Sequence, residues 1–302
     1  MLHRQATPVR LPMPRTIEEG FNDFLIKLKA STPESQAAAS HRASIESCLR
    51  ANFGLLRFTR IGSFGNGTSI SGYSDVDYLA AIPRQQLTES SAYSLGKVRG
   101  ALDFRFPHTG VHINSPAVVA PFGSRRAETT EVVPADFLGV ESGYKVYEIA
   151  DGERGWIRVS PDAHNAYVAK VDAMHNGRVK PLIRFVKAWK FLRSVPISSF
   201  YIEMRVARYA EAERSIIFDI DMKRVLAELC SHELAMMRDP MGFSGYIAAC
   251  KTEAMRQDAL SKLNTAAVRA DKAVAAGLNG HVDDAFEWWR LLYGSNFPTY
   301  YY

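Results

Sequence analysis

An α+β fold followed by a helical region is what this 302-residue chain predicts. Short β-type apolar runs punctuated by Gly and Pro crowd into residues 55–149, and helical periodicity takes over beyond Ser160-Pro161. The length fits about two domains of roughly 150 residues each, so the change of pattern predicts an N-terminal unit at 1–160 and a helical domain at 161–302. Hydrophobic residues at 47% and charged residues at 23% match an ordinary folded chain and exclude the disordered and low-complexity classes.

The first elements are helices. Phe21, Phe24, Leu25 and Leu28 recur at helical spacing, and a second helix continues from Ser40 to Asn52 after the break at Ser31-Thr32-Pro33. Strands follow at 55–61, 76–82, 111–113, 117–120, 130–134 and 144–149, with a helix around 86–104. From Pro161 to Leu292 the pattern is helical, and no internal repeat interrupts it.

Several function classes drop out. The cysteines Cys48, Cys230 and Cys250 are odd in number and lack a C-x-x-C spacing, which argues against a disulfide framework and suits a reducing compartment. Cys230-Ser231-His232 with Cys250 lacks a fourth ligand at zinc-site spacing. His108, His112, His164 and His175 read as surface or internally satisfied histidines. No stretch approaches the ~20 apolar residues of a membrane span, and the first twenty residues lack a signal-peptide core, so the expectation is a soluble cytoplasmic protein with no membrane partner. The net charge of +5 is mild, but residues 177–214 alone carry +6, nine basic side chains against Glu203, Glu211 and Glu213. Such a run is either a solvated helix face or an anion site.

The chemistry lies in Gly62-Ser63-Phe64-Gly65-Asn66-Gly67-Thr68 and in Ser74-Asp75-Val76-Asp77-Tyr78. A glycine-rich turn after a strand exposes N–H groups to phosphate oxygens, and the Ser63 hydroxyl adds a donor. No Gly-Lys-Ser/Thr follows, which excludes a Walker loop, and Ile70 stands where a dinucleotide fingerprint needs a small residue. Period-2 alternation turns Asp75 and Asp77 to one side of a strand and Val76 to the other. Two like charges side by side cost free energy unless a hard divalent cation lies between them.

Gly-Ser, a short variable stretch and then Asp-x-Asp resembles the polymerase-β-like nucleotidyltransferases. Glu131-Val132-Val133-Pro134-Ala135 is similar to the segment that carries the third carboxylate in the bacterial relatives of cyclic GMP-AMP synthase, with Glu where that family usually has Asp. The resemblance implies a nucleotidyltransferase core with a mixed sheet, a helical domain of the poly(A)-polymerase and oligoadenylate-synthase kind, and an active site in the cleft between them. It implies catalytic metal ligands at Asp75, Asp77 and Glu131, with Asp136 and then Glu128 as alternatives for the third, and two Mg²⁺ or Mn²⁺ ions as cofactors. Pro181–Lys190 places Leu182, Phe185, Val186 and Trp189 on an apolar stripe with Arg184 and Lys187 off it, and Ser198-Ser199-Phe200-Tyr201 follows Pro196. By the same resemblance Lys187 and Ser199 join Gly62 and Ser63 in holding phosphates and Phe200 or Tyr201 stacks on a base; Lys190, three positions further round the helix, is expected to point toward solvent. The residue-level alternative is that both aromatics are core residues of a helix capped by Ser198.

The function that the resemblance implies is synthesis of a cyclic oligonucleotide, most simply a dinucleotide, from nucleoside triphosphates. The product would serve an effector protein in antiphage signalling, with no requirement for DNA. The Gly-Ser and Asp-x-Asp core leaves open nucleotide transfer to RNA or a small acceptor, and a catalytically silent nucleotide or RNA sensor on the same fold.

Overall fold

The computed structural model describes residues 16–29, 32–73, 75–123 and 128–300. Helix α1 (Ile17–Leu28) starts at Thr16, whose hydroxyl accepts from the Glu19 N–H while the Glu19 carboxylate accepts from the Thr16 N–H, a reciprocal capping box. Helix α2 (Thr32–Phe53) leads into β1 (Arg57–Arg60), the short helix α3 (Gly62–Asn66) and β2 (Val76–Ala81). Helix α4 (Ser91–Arg105), β3 (His112–Asn114), β4 (Ala117–Phe122), β5 (Glu128–Glu141), β6 (Tyr144–Ala150) and β7 (Trp156–Val159) complete a seven-stranded sheet.

The sheet runs β1-β2-β5-β4-β3, with β6 and β7 continuing from β5. Only the β2–β5 pair is parallel, so the sheet is mixed. Strand β5 is longer than the apolar run at 130–134 suggests. It pairs with β4 over 128–132, with β2 over 130–135 and with β6 over 135–141, past a bulge between Phe137 and Gly139. Its 14 residues let one strand serve successive partners, and alternation alone reveals neither that length nor the bulge. Strand β7, absent from the sequence reading, is a four-residue edge strand.

The helical region comprises α5 (Pro161–Met174), α6 (Val179–Leu192), α7 (Ser199–Ala212), α8 (Phe218–Ser231), α9 (Glu253–Leu278) and α10 (Val282–Tyr293). A two-stranded hairpin interrupts it, β8 (Met237–Arg238) with β9 (Tyr246–Ile247). Its strands are too short for a period-2 signal.

Two large apolar cores result. Val76, Tyr78, Ala80 and Val132 on one face of the sheet pack with Ile45, Leu49, Leu95 and Val98 from α2 and α4. The second core gathers α5–α10 and also takes Phe21 and Phe24 from α1, whose rings pack against Phe185, Tyr293 and Phe297. The opposite face of the sheet therefore carries Asp77, Leu79, Glu131 and Val133, the residues of the other parity. No helix among the described residues is long and apolar enough to cross a membrane.

Candidate active site

A cavity of about 460 Å³ opens between that second face of the sheet and the N-terminal ends of α5 and α7. Gly62, Ser63, Asp75, Asp77, Glu131, Ser199 and Phe200 all line it, although they come from segments up to 138 positions apart. Strand register makes the central pair: Asp77 and Glu131 stand directly opposite each other on parallel β2 and β5.

The carboxylates crowd one another. Asp77 and Glu131 are in hydrogen-bond contact. Burial, then the charges of Glu131 and Asp75, push the Asp77 carboxyl well up. Burial also raises Glu131, against hydrogen bonds from Asp77 and Asn114 and the charges of Lys251 and His112. Asp75, though exposed, is raised to about 6 by partial desolvation in the cleft and by Glu131, with Lys190 opposing. Among the described residues no three His, Cys, Asp or Glu side chains form a ready-made metal-binding group. Asp75 senses the pair through charge, and two touching carboxyls with a third nearby need either a shared proton or a cation. That donor set fits a hard divalent ion.

Asp136 lies on the other face of β5 from Glu131, opposite Glu148 and 3.8 Å from Arg84. It is therefore turned away from the Asp77 pair. The side chain of Glu128, like Ser74, lies outside the described residues.

The glycine-rich segment is a short helix rather than the turn expected from its composition. Gly62 opens α3 with φ +59°, and Gly67 closes it in the left-handed region at φ +72°. A Cβ on Gly62 would lie 2.0 Å from Asp77 Oδ2. The backbone thus packs directly on the Asp77 carboxylate, and Ile61 N–H donates to Asp77 O at 2.9 Å. Gly62→Ala is expected to displace Asp77 and cost about a hundredfold in turnover, since a misplacement of about 1 Å can have that effect. Wild-type turnover with an unchanged melting temperature would show that this approach does not position the site.

The two lysines of α6 exchange the places expected of them. Lys187 is fully buried, and its Nζ lies 2.8 Å from Glu203 Oε1. Glu203 also accepts from Thr68 Oγ1 and, at 3.1 Å, from Asn66 Nδ2. Lys187 therefore ties α6 and α7 to the end of α3 and does not line the cavity. The apolar stripe on α6 is no guide here, because α6 packs against α1, α5, α7, α8 and α10 and has no solvated face at Lys187. Lys190 is the lysine on the cavity wall, where its Nζ donates to Ser199 Oγ at 2.7 Å. Burial and the charge of Lys187 pull its ammonium down to about 8 against the attraction of Asp75, Glu203 and Glu131.

The rest of the basic run is largely structural. Arg178 pairs with Glu18, Arg184 donates to the carbonyls of Gly67 and Ser69, and Arg193 donates to those of Leu291 and Leu292. Of the two candidate aromatics, Tyr201 is buried, with its hydroxyl donating to Ala235 O at 2.8 Å, whereas Phe200 lines the cavity. Ser198 caps α7 by accepting from Tyr201 N–H at 3.3 Å. Sequence reasoning gave no cavity role to Lys190, Glu203 or Ser244, whereas His164 is an internally satisfied histidine as expected, its Nε2 3.0 Å from Asp239 Oδ2. For Lys190 a signal existed, since it lies nine positions before Ser199 across one tight connection.

Comparison with known proteins bears on what such a cavity is for. Residues 15–172 match the Second Messenger Oligonucleotide or Dinucleotide Synthetase (SMODS) domain. A probable cyclic nucleotide synthase of Bacillus cereus is 24% identical over 256 residues, spanning 78% of this chain and 75% of the relative. Among solved structures, Vibrio cholerae DncV cyclic AMP-GMP synthase with its linear intermediate superposes with a TM-score of 0.75 at 14% identity, over 95% of this chain and 98% of that one. E. coli MS115-1 CdnC with ATP gives 0.71 at 16% identity, over 93% and 98%. At these identities the structural likeness is one of fold. The family match spans more than half of the chain, from α1 through the carboxylate pair and into α5, and on that ground the protein belongs to the SMODS family.

Proposed function

We propose that this enzyme joins nucleoside triphosphates into a cyclic oligonucleotide, with a cyclic dinucleotide as the expected product, and that Asp75, Asp77 and Glu131 hold two divalent cations. The observation that carries this reading is the in-register Asp77–Glu131 pair facing a cavity whose other wall is the start of α7 with Lys190 beside it. When bound, Mg²⁺ or Mn²⁺ would lower the pKa of an attacking ribose hydroxyl and neutralise the triphosphate and departing pyrophosphate.

The chain itself supplies position. Asp77 and Glu131, side by side and both raised by burial, would hold the cations as ionised carboxylates. The free N–H groups at the start of α7, together with Ser199 and Lys190, bind triphosphate oxygens. The N–H groups of α3 and the Ser63 hydroxyl hold the same chain of phosphates from the sheet side, and Phe200 offers a face to a base. A ribose hydroxyl then attacks an α-phosphate, the new O–P bond forms, and pyrophosphate leaves. A second such attack closes the ring. Lys187, placed behind the wall, supports the site through Glu203.

The relative solved with a linear intermediate, pppA(3′,5′)pG, supports stepwise synthesis, and CdnC with ATP supports triphosphates as substrates. CdnC also occurs in a complex with HORMA, so a protein partner is reasonable for this chain. In our reading the product acts on an effector protein in antiphage signalling, and synthesis needs no DNA. The test is incubation with all four radiolabelled triphosphates and Mg²⁺ or Mn²⁺, phosphatase treatment and mass spectrometry. A phosphatase-resistant ring is expected. A tailed RNA or a modified small acceptor would overturn the reading, as would strict dependence on added duplex.

Lys190→Met should weaken binding of a non-hydrolysable triphosphate about ten- to a hundredfold, because it removes a charge-assisted contact in a partly dry cleft. Calorimetry checks this without turnover. An unchanged affinity would put the triphosphate elsewhere.

A further inference from the structure

Next to His164 and Ser244 of the cavity wall lies one buried acid, Asp239, that the proposed chemistry leaves unused. Asp239 follows β8 and is 3% exposed. Its Oδ1 accepts from Met241 N–H at 2.9 Å, and its Oδ2 accepts from Phe243 and Ser244 N–H at 2.9 and 2.8 Å. The Asp239 N–H in turn donates to Gly245 O at 2.9 Å. One side chain thus fixes the whole connection between β8 and β9.

The same Oδ2 lies 3.0 Å from His164 Nε2. Facing a carboxylate, that nitrogen carries the proton. His164 sits in the first turns of α5, buried, with its ring edge-on to Phe200 at 4.9 Å between centroids. His164, Phe200 and Ser244 all line the cavity. The Ser244 hydroxyl is enclosed and has no hydrogen-bond partner. Buried hydroxyls are normally satisfied, so this orphan on a cavity-lining residue points to a ligand that the hydroxyl meets when the serine side chain turns into the cavity.

Resting on the nucleotide reading above, we propose that Ser244 is the contact that tells nucleobases apart, and that Asp239 and His164 are positioning residues that hold it and Phe200 in place. The division of labour is chemical. Stacking on Phe200 needs only a π-face and accepts any base, whereas a hydroxyl fixed at one point rewards the base whose edge presents a complementary group there. The ligand class is the polar edge of the base stacked on Phe200.

The experiment measures calorimetric affinities of non-hydrolysable ATP, GTP, CTP and UTP analogues, and product KM and kcat for each base, in wild type and in Ser244→Ala, Asp239→Asn, His164→Ala and His164→Gln. Wild type should prefer one base, and Ser244→Ala should narrow that preference by about three- to tenfold, the worth of one neutral hydrogen bond. Asp239→Asn and His164→Ala should narrow it too, raising KM for the preferred base more than they lower kcat. His164→Gln, which retains a donor toward Asp239, should restore part of it. Ser244→Ala removes a single oxygen and keeps the test valid if Asp239→Asn fails to fold. Equal affinities for all bases in wild type, or an unchanged preference in Ser244→Ala, overturn the proposal while leaving nucleotide transfer standing. Failure of wild type to bind any triphosphate overturns both.

Discussion

Asp77→Asn is expected to abolish nucleotide transfer while leaving the protein at least as stable as wild type. The two outcomes have one cause. Asp77 touches Glu131, with burial and the charges of Glu131 and Asp75 all opposing its ionisation. Such a cluster strains the folded protein, and a neutral isostere relieves the repulsion without opening a cavity. Losing a metal ligand removes several kcal/mol of transition-state stabilisation, which at 1.36 kcal/mol per factor of ten is on the order of a thousandfold or more. Glu131→Gln should behave alike. Asp136→Ala serves as the control, because its carboxylate faces away from the pair and sits near Arg84. Product assays and calorimetric melting decide the matter: an Asp77→Asn enzyme within a few-fold of wild type would remove the carboxylate assignment, and a dead Asp136→Ala with an active Glu131→Gln would move the third acid.

How much of this was legible in the sequence depends on the range of the interaction. Period-2 alternation is local, so the orientation of Asp75 and Asp77 against Val76 follows from three consecutive residues. The helix cap at Ser198 is equally local. Pairing Asp77 with Glu131 depends on the register of two strands joined by a long crossover, and no sequence spacing sets that register. A family resemblance suggested the pair, and periodicity did not. Lys187 and Lys190 show the limit from the other side. An amphipathic stripe tells which face of a helix is apolar on the assumption that the opposite face is wet, and α6 violates that assumption because neighbours surround it. Where the face opposite the stripe is packed as well, the destination of each lysine is decided by a distant partner: Glu203 for one, Ser199 and the cavity for the other. The Asp239 turn was illegible for a similar reason, since its acceptors are satisfied by backbone N–H groups that carry no residue identity.

Lys187→Met should destabilise the protein by about 3–5 kcal/mol, the cost of leaving a buried charge uncompensated. The pair is almost wholly out of water, with Lys187 fully buried and Glu203 5% exposed. Glu203→Gln should cost a similar amount by stranding the ammonium, yet the double variant should cost much less than the sum, because replacing both charges removes the desolvation penalty along with the attraction. Acid supplies an independent check on sign. Burial raises the Glu203 carboxyl, but the charge of Lys187 and the hydrogen bonds from Lys187, Thr68 and Asn66 outweigh it and hold the group below its ordinary value of 4.5. Its contribution is therefore fully present above the unfolded value and is lost as pH falls through the lower folded one. Below about pH 4.5 the stability of wild type should fall more steeply than that of Glu203→Gln. The contrast with Lys190 is the decisive part. Lys190→Met should leave the melting temperature nearly unchanged and weaken triphosphate binding, whereas Lys187→Met should lower the melting temperature and disturb binding only through the displaced end of α3. If Lys187→Met melts like wild type but loses triphosphate affinity, the buried ion pair is not what holds α3, and Lys187 itself reaches the nucleotide.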